Sequence, residues 1–226
     1  MEKIKKNVIK IILLGESGVG KTCLIQAYLG KKIIDVASTI SAEYINQPLE
    51  RENEVFNIHM WDTAGQERFR SLNKIFIKDS QIVVFVYDIT KKKTFDELPF
   101  WVNYVKELLG EHVVFGLAGN KVDLFDQIQN GENEDNNNDN DNDNDNEENE
   151  EKDEDKFVDV EEGQKYADEI GALFKETSAK ENAIGFQEFI NQLINIFFTR
   201  RKVTEGEWEL ISLNKINNLK AKKICC

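Results

Sequence analysis

The octapeptide Gly15-Glu16-Ser17-Gly18-Val19-Gly20-Lys21-Thr22 places glycines, an ammonium group and a hydroxyl in one short stretch, a set suited to wrapping a chain of phosphates. The glycines let successive backbone N–H groups turn inward around phosphate oxygens. Lys21 adds positive charge toward the β- and γ-phosphates, and Thr22 offers its hydroxyl to Mg²⁺. The candidate phosphate-binding set is Gly15, Ser17, Gly18, Val19, Gly20, Lys21, Thr22 and Cys23. A pattern this short recurs by chance, so its surroundings decide. Residues 8–14, apolar apart from Lys10 and partly β-branched, suit a buried strand; residues 23–29 suit a helix whose positive end faces the anion.

Two further stretches extend the chemistry. The largely apolar run ending at Trp61 delivers Asp62, a carboxylate placed to support the metal through water, and is followed by Thr63-Ala64-Gly65-Gln66-Glu67. Gly65 can bring a bare N–H to the γ-phosphate. The Gln66 amide can accept from an attacking water and donate to the phosphate, which is positioning chemistry rather than strong-base chemistry. Residues 113–119 form another buried-strand run, with Asn120-Lys121-Val122-Asp123 at its carboxyl end, where open α/β sheets place ligands. Asp123 can accept from the N1–H and the exocyclic amine of guanine. Adenine lacks that edge, and each charge-assisted bond lost costs about 1.5–3 kcal/mol, enough to exclude ATP. Thr177-Ser178-Ala179-Lys180 supplies the other wall: Ser178 and Ala179 shape it, an Ala179 N–H meets the guanine carbonyl, and the Lys121 and Lys180 stems flank the ring. The ligand these stretches define together is GTP or GDP.

In order and spacing the segments resemble the small GTPase superfamily, and three features point to its Rab branch. They are Trp61-Asp62-Thr63-Ala64-Gly65-Gln66-Glu67-Arg68-Phe69-Arg70-Ser71-Leu72, which is similar to the Rab switch II; Ser38-Thr39-Ile40, which aligns with switch I; and the terminal Cys225-Cys226. The resemblance spans residue 7 to about residue 201. It implies a molecular switch, on with GTP and off with GDP, regulating vesicle traffic from a membrane, with hydrolysis too slow to be useful without an activating protein. It makes Thr39 a ligand of Mg²⁺ and the γ-phosphate, so that Gln66, Lys21 and Thr39 form the catalytic set and Thr22, Thr39 and Asp62, the last through water, form the metal set. It places Tyr28 edge-on to the base, although an aromatic ending a first helix is also ordinary core.

The implied partners are a guanine nucleotide exchange factor, a GTPase-activating protein, a GDP dissociation inhibitor, an escort protein with geranylgeranyl transferase, and effectors. Cys225 and Cys226 match a site of double geranylgeranylation, two chains giving stable anchoring where one gives only marginal binding. Tyr44, Trp61 and Phe76 match the aromatic triad by which effectors discriminate, though the same residues also read as half-buried packing between strands and a helix. Departures from the Rab pattern fall on partner-facing positions: Ile40-Ser41-Ala42-Glu43-Tyr44 after the switch I threonine, Ile33-Ile34 where an aromatic often closes over the phosphates, and Phe76-Ile77-Lys78-Asp79-Ser80 after switch II. Two alternatives stay open, a GTP-binding scaffold with negligible hydrolysis and a Ras- or Rho-type signalling switch. The second normally ends in a Cys-aliphatic-aliphatic-X box, absent here.

The elements that must position these residues are legible. Strands are expected at 8–14, 44–49, 55–61, 82–88, 113–119 and 173–175, with helices at 94–109, 161–170 and 184–198. That order predicts an α/β fold in three layers: a mostly parallel, doubly wound six-stranded sheet with one antiparallel edge hairpin strand. The expected organisation is a GTPase domain over residues 1–202, interrupted by an acidic insertion at 126–156, then a flexible tail at 203–226 carrying the lipidation site.

The net charge of −13 is misleading, because residues 126–156 hold 15 acidic residues and two lysines and the rest of the chain has 27 acids and 27 bases. A neutral body carries no nucleic-acid footprint, and a monomer is expected. The insertion has no apolar residue after Ile128 until Phe157 and is predicted to be disordered. Asp139, Asp141, Asp143 and Glu150 fall in calcium-loop register, but Asn144 stands where such loops need glycine, and an Asp-Asn repeat generates the register trivially. With three cysteines, no signal peptide and no apolar run of the ~20 residues a span needs, the expected location is cytoplasmic, peripherally anchored to the cytosolic face of an endomembrane.

Overall fold

Strands β4 (Ile82–Asp88) and β5 (Val114–Asn120) are buried at every position, and that is why both read as unbroken apolar runs. Toward the edge the pattern loosens. In β3 (Glu54–Asp62), Phe56, Ile58, Met60 and Asp62 are buried and the residues between them are not. The computed structural model describes residues 7–31, 43–51, 53–63, 70–125, 157–181 and 183–204. Its six strands, completed by β1 (Val8–Leu14), β2 (Glu43–Arg51) and β6 (Leu173–Thr177), form one sheet in the order β2-β3-β1-β4-β5-β6. Only β2 and β3 pair antiparallel, Tyr44 opposite Trp61; Ile11 of β1 sits beside Met60 on one side and Ile82 on the other, both in parallel.

Helices cover both faces of the sheet. On one face α1 (Lys21–Tyr28) and the long C-terminal helix, α6 (Ala183–Thr204), enclose Ile11, Leu13, Val84 and Val86, with Phe186, Phe189 and Leu193 of α6 fully buried. On the other face α2 (Arg70–Ile77), α3 (Lys92–Asp96), α4 (Leu98–Leu109) and α5 (Val160–Ile170) pack over Ile12, Leu14, Phe85 and Leu117 through Ile77, Phe95, Trp101, Val105 and Ala167. The architecture is the expected three-layer, doubly wound sheet with one antiparallel edge strand. Because β1 lies between β3 and β4, the chain reverses direction across the sheet at its carboxyl end, the place where open α/β sheets bind ligands.

Element boundaries moved where backbone chemistry intervenes. The single helix expected at 94–109 is two, α3 and α4, separated at Glu97. Pro99 at the start of α4 has no N–H to return to the Phe95 carbonyl, so the hydrogen-bond ladder is interrupted there. The last helix runs to Thr204, beyond both the expected end of the helix at 198 and the tail boundary at 203. The acidic insertion leaves from Phe125 and returns at Phe157, whose rings meet edge to face at 5.5 Å; one residue on, the Val158 N–H donates to the Ile89 carbonyl at 2.9 Å.

Candidate functional site

The loop between β1 and α1 turns on glycines that nothing larger could replace. Gly15 has φ 151°, and a Cβ there would lie 2.1 Å from the Val86 carbonyl oxygen; Gly20 has φ 97°, and its Cβ would lie 2.4 Å from the Asn120 side-chain nitrogen. Gly18, also at positive φ, faces open space. The turned loop buries Lys21, whose Nζ donates to the carbonyls of Gly15 at 2.9 Å and Glu16 at 2.8 Å. Burial lowers the Lys21 pKa to about 8, against the opposing pull of the Asp62 and Glu16 carboxylates. Thr22, the next residue, donates its hydroxyl to Asp62 Oδ2 at 2.6 Å. Two oxygens expected to hold a metal are thus brought together from α1 and the end of β3, 40 positions apart. Thr63 anchors that strand end by donating to the Leu13 carbonyl at 2.7 Å.

The base-reading loops reach the same crevice. Asn120 ends β5 fully buried, and its Nδ2 donates to the Val19 carbonyl of the phosphate loop at 2.8 Å, while Thr177, ending β6, donates to Asn120 Oδ1 at 3.2 Å. One amide therefore ties together three loops that lie far apart in sequence. Lys121 sits in the left-handed region at φ 72°, uncommon for a residue with a Cβ, and is held there by an ion pair from its Nζ to Asp88 Oδ2 at 2.6 Å. Asp123 follows on a single 3-10 turn, Val122–Leu124, half-buried at the mouth. Ser178 is buried and accepts from the Glu181 N–H at 3.0 Å, shaping the turn that carries Ala179, also buried, and Lys180, exposed. Tyr28 is half-buried at the end of α1, with burial raising its hydroxyl pKa, and its carbonyl accepts from Gln187 of α6 at 2.8 Å. Cys23 is partly buried against the α1–α6 core.

Thr39, Gly65, Gln66, Cys225 and Cys226 lie outside the described residues, as do Ser38, Ile40 and the 126–156 insertion. The aromatic triad does assemble: Trp61 is 5.4 Å from both Tyr44 and Phe76, and His59 meets Tyr44 edge to face at 4.9 Å. Tyr44 is 45% exposed, so the three rings form a surface strip and are not core alone.

Sequence reading missed Asp88 and Glu16. Asp88 is 1% exposed, pairs with Lys121 and accepts from both the backbone N–H and the hydroxyl of Thr90, at 3.0 and 2.7 Å. Its signal was available: like Asp62, it is a carboxylate ending an apolar strand run.

A β1–loop–α1 unit with a buried lysine, joined through Asn120 to a second loop at the carboxyl end of β5, defines a P-loop nucleotide-binding protein. The Ras family model matches residues 10–198. Ras-related protein Rab-21 of Bos taurus is 32% identical over 197 residues, covering 87% of this chain and 76% of the relative. Ras-related protein Rab-31 is 35% identical in Rattus norvegicus, covering 80% of this chain and 78% of the relative, and 32% identical in Mus musculus, covering 96% and 97%. The chain belongs to the Rab branch of the Ras family of small GTPases. It is a GTP-binding switch and an enzyme that hydrolyses GTP to GDP. The oxygens of Thr22 and Asp62, a hydroxyl and a buried carboxylate side by side, fit the hard-donor preference of Mg²⁺. Among the described residues no helix is long and apolar enough to cross a membrane.

Proposed function

We propose that this chain is a Rab-type switch whose phosphate end is held by the Gly15–Thr22 loop and whose base end is read by Asp123 and Ala179. The observation that carries the reading is the Asn120–Val19 hydrogen bond, which fixes the two loops in one crevice, 101 positions apart in sequence. In this reading the N–H groups of the loop and the Lys21 ammonium hold the β- and γ-phosphates, Thr22 and Thr39 hold the metal, and Asp62 supports it through water. Mg²⁺ would supply charge neutralisation between the β- and γ-phosphates. Gln66 orients the attacking water for in-line displacement, and Gly65 with Thr39 fastens the two switch segments to the γ-phosphate, so that hydrolysis releases both. Lys121, braced by Asp88, and Lys180 flank the guanine ring.

The strip of Tyr44, Trp61 and Phe76 supports an effector surface, and its exposed edge at Tyr44 suits an apolar partner. Geranylgeranylation of Cys225 and Cys226 would hold the protein on the cytosolic face of an endomembrane, where it regulates vesicle traffic. Exchange factor, activating protein, GDP dissociation inhibitor and escort protein are the regulators such a cycle needs. The domain ends with α6, and residues 126–156 and the tail are appendages to it. The test is single-turnover hydrolysis by purified protein with Mg²⁺. Gln66→Leu is expected to bind GTP as wild type does and to hydrolyse it at least about tenfold more slowly; equal rates would remove Gln66 from the chemistry.

A further inference from the structure

We infer that Trp101 is a positioning residue for the phosphate loop: its indole N–H, bonded to the Glu16 side chain, holds the loop in the shape that retains nucleotide. The inference rests on the reading above that the Gly15–Thr22 loop holds the phosphates. Glu16 is the second residue of that loop, and its carbonyl, with that of Gly15, is one of the two backbone acceptors that seat Lys21. Its side chain reaches α4. Glu16 Oε1 accepts from Trp101 Nε1 at 3.3 Å, a contact spanning 85 positions of sequence and joining the loop to α4. Trp101 is 1% exposed, set among Leu98, Val102 and Val105 in the second core and packed edge to face on Phe100 at 5.3 Å. The buried indole is therefore a fixed donor, and the bond ties the front of the loop to α4 as Asn120 ties its middle to β5 and Asp62 ties its end to β3.

A bland account of the same bond is that a buried indole needs an acceptor and Glu16 happens to provide it. The two accounts separate in what they move: the bland one predicts a loss of fold stability, the positioning one a loss of nucleotide retention.

The experiment follows release of fluorescent GDP from the full-length protein in Mg²⁺, chased with unlabelled GDP, beside a thermal melt of each variant. Trp101→Phe keeps the ring and removes the N–H. Glu16→Ala removes the acceptor, and Glu16→Gln restores one. Each of the first two is expected to release GDP about threefold to tenfold faster, the range one hydrogen bond supports. The double variant is expected to release no faster than the quicker single, since the partners act through one bond. Glu16→Gln is expected to recover most of the loss, and Glu16→Ala to melt close to wild type. Wild-type release rates in both singles, or a double variant showing the product of their effects, would overturn the inference while leaving nucleotide binding intact. Should Trp101→Phe not fold, equal release from Glu16→Ala and Glu16→Gln overturns it. A wild-type protein that fails to take up GDP at all would instead sink the phosphate-loop reading.

Discussion

Burial brings the Lys21 pKa down to about 8, even with the Asp62 and Glu16 carboxylates favouring the charged form. A bound phosphate restores the charge, so above pH 8 binding must take up a proton that the free protein has already lost. The affinity for GDP is expected to fall by about fourfold from pH 7 to pH 8.5, read by calorimetry in buffers of different ionisation enthalpy. A flat profile would mean that Lys21 does not meet phosphate. In the fold alone the Lys21 pKa lies below the ordinary 10.5, so the cost of burying the charge is fully present below about 8. That cost is relieved as pH rises toward 10.5, so the stability of the fold increases with pH across that window. At the same scale Asp88 shows how one buried carboxylate does two jobs, pairing with Lys121 and closing the turn at Thr90.

Among the elements, the helices bend to side-chain chemistry more than the strands do. Both β1 and β4 ended where their apolar runs end, whereas the run at 94–109 satisfied helical spacing throughout and still split, because spacing records which face is buried and not whether each residue can donate its N–H. The acidic insertion joins the domain at a closed neck, with the Phe125 and Phe157 rings in contact and Val158 bonded to Ile89. Replacing residues 127–154 with a bridge of about six Gly and Ser residues is therefore expected to leave GDP release unchanged and to stabilise the domain by about 1 kcal/mol, since a shorter loop costs less entropy to close. Chemical denaturation reads this directly. A loss of several kcal/mol would show that the insertion packs on the body.

At the scale of the whole molecule, the charge is concentrated in one segment. Residues 126–156 carry the whole net charge of −13 and the rest of the chain is neutral, so the pI of about 4.8 describes that one segment. The proposed attachment belongs to the other end. With α6 closing the described fold at Thr204, the remaining 22 residues lead to Cys225 and Cys226. The double variant Cys225→Ser, Cys226→Ser, expressed in cells that prenylate Rab proteins, is expected to move from the membrane fraction and the detergent phase to the aqueous phase, because two buried chains are what make such anchoring stable. Unchanged partitioning would leave the tail without that role.

The phosphate loop, the guanine loop and the layered α/β order were readable in the chain itself, because each depends on local chemistry: glycines where the backbone turns left-handed, apolar runs where strands are buried on both faces. The pairings between these parts were not legible. Asn120 reaches Val19 across 101 positions, Trp101 reaches Glu16 across 85, and Lys121 finds Asp88 on the neighbouring strand. No local preference carries such pairings. They exist because the order β3-β1-β4-β5 and its parallel register bring the carboxyl ends of four strands to one edge, and register is set by how two cores pack against a shared sheet.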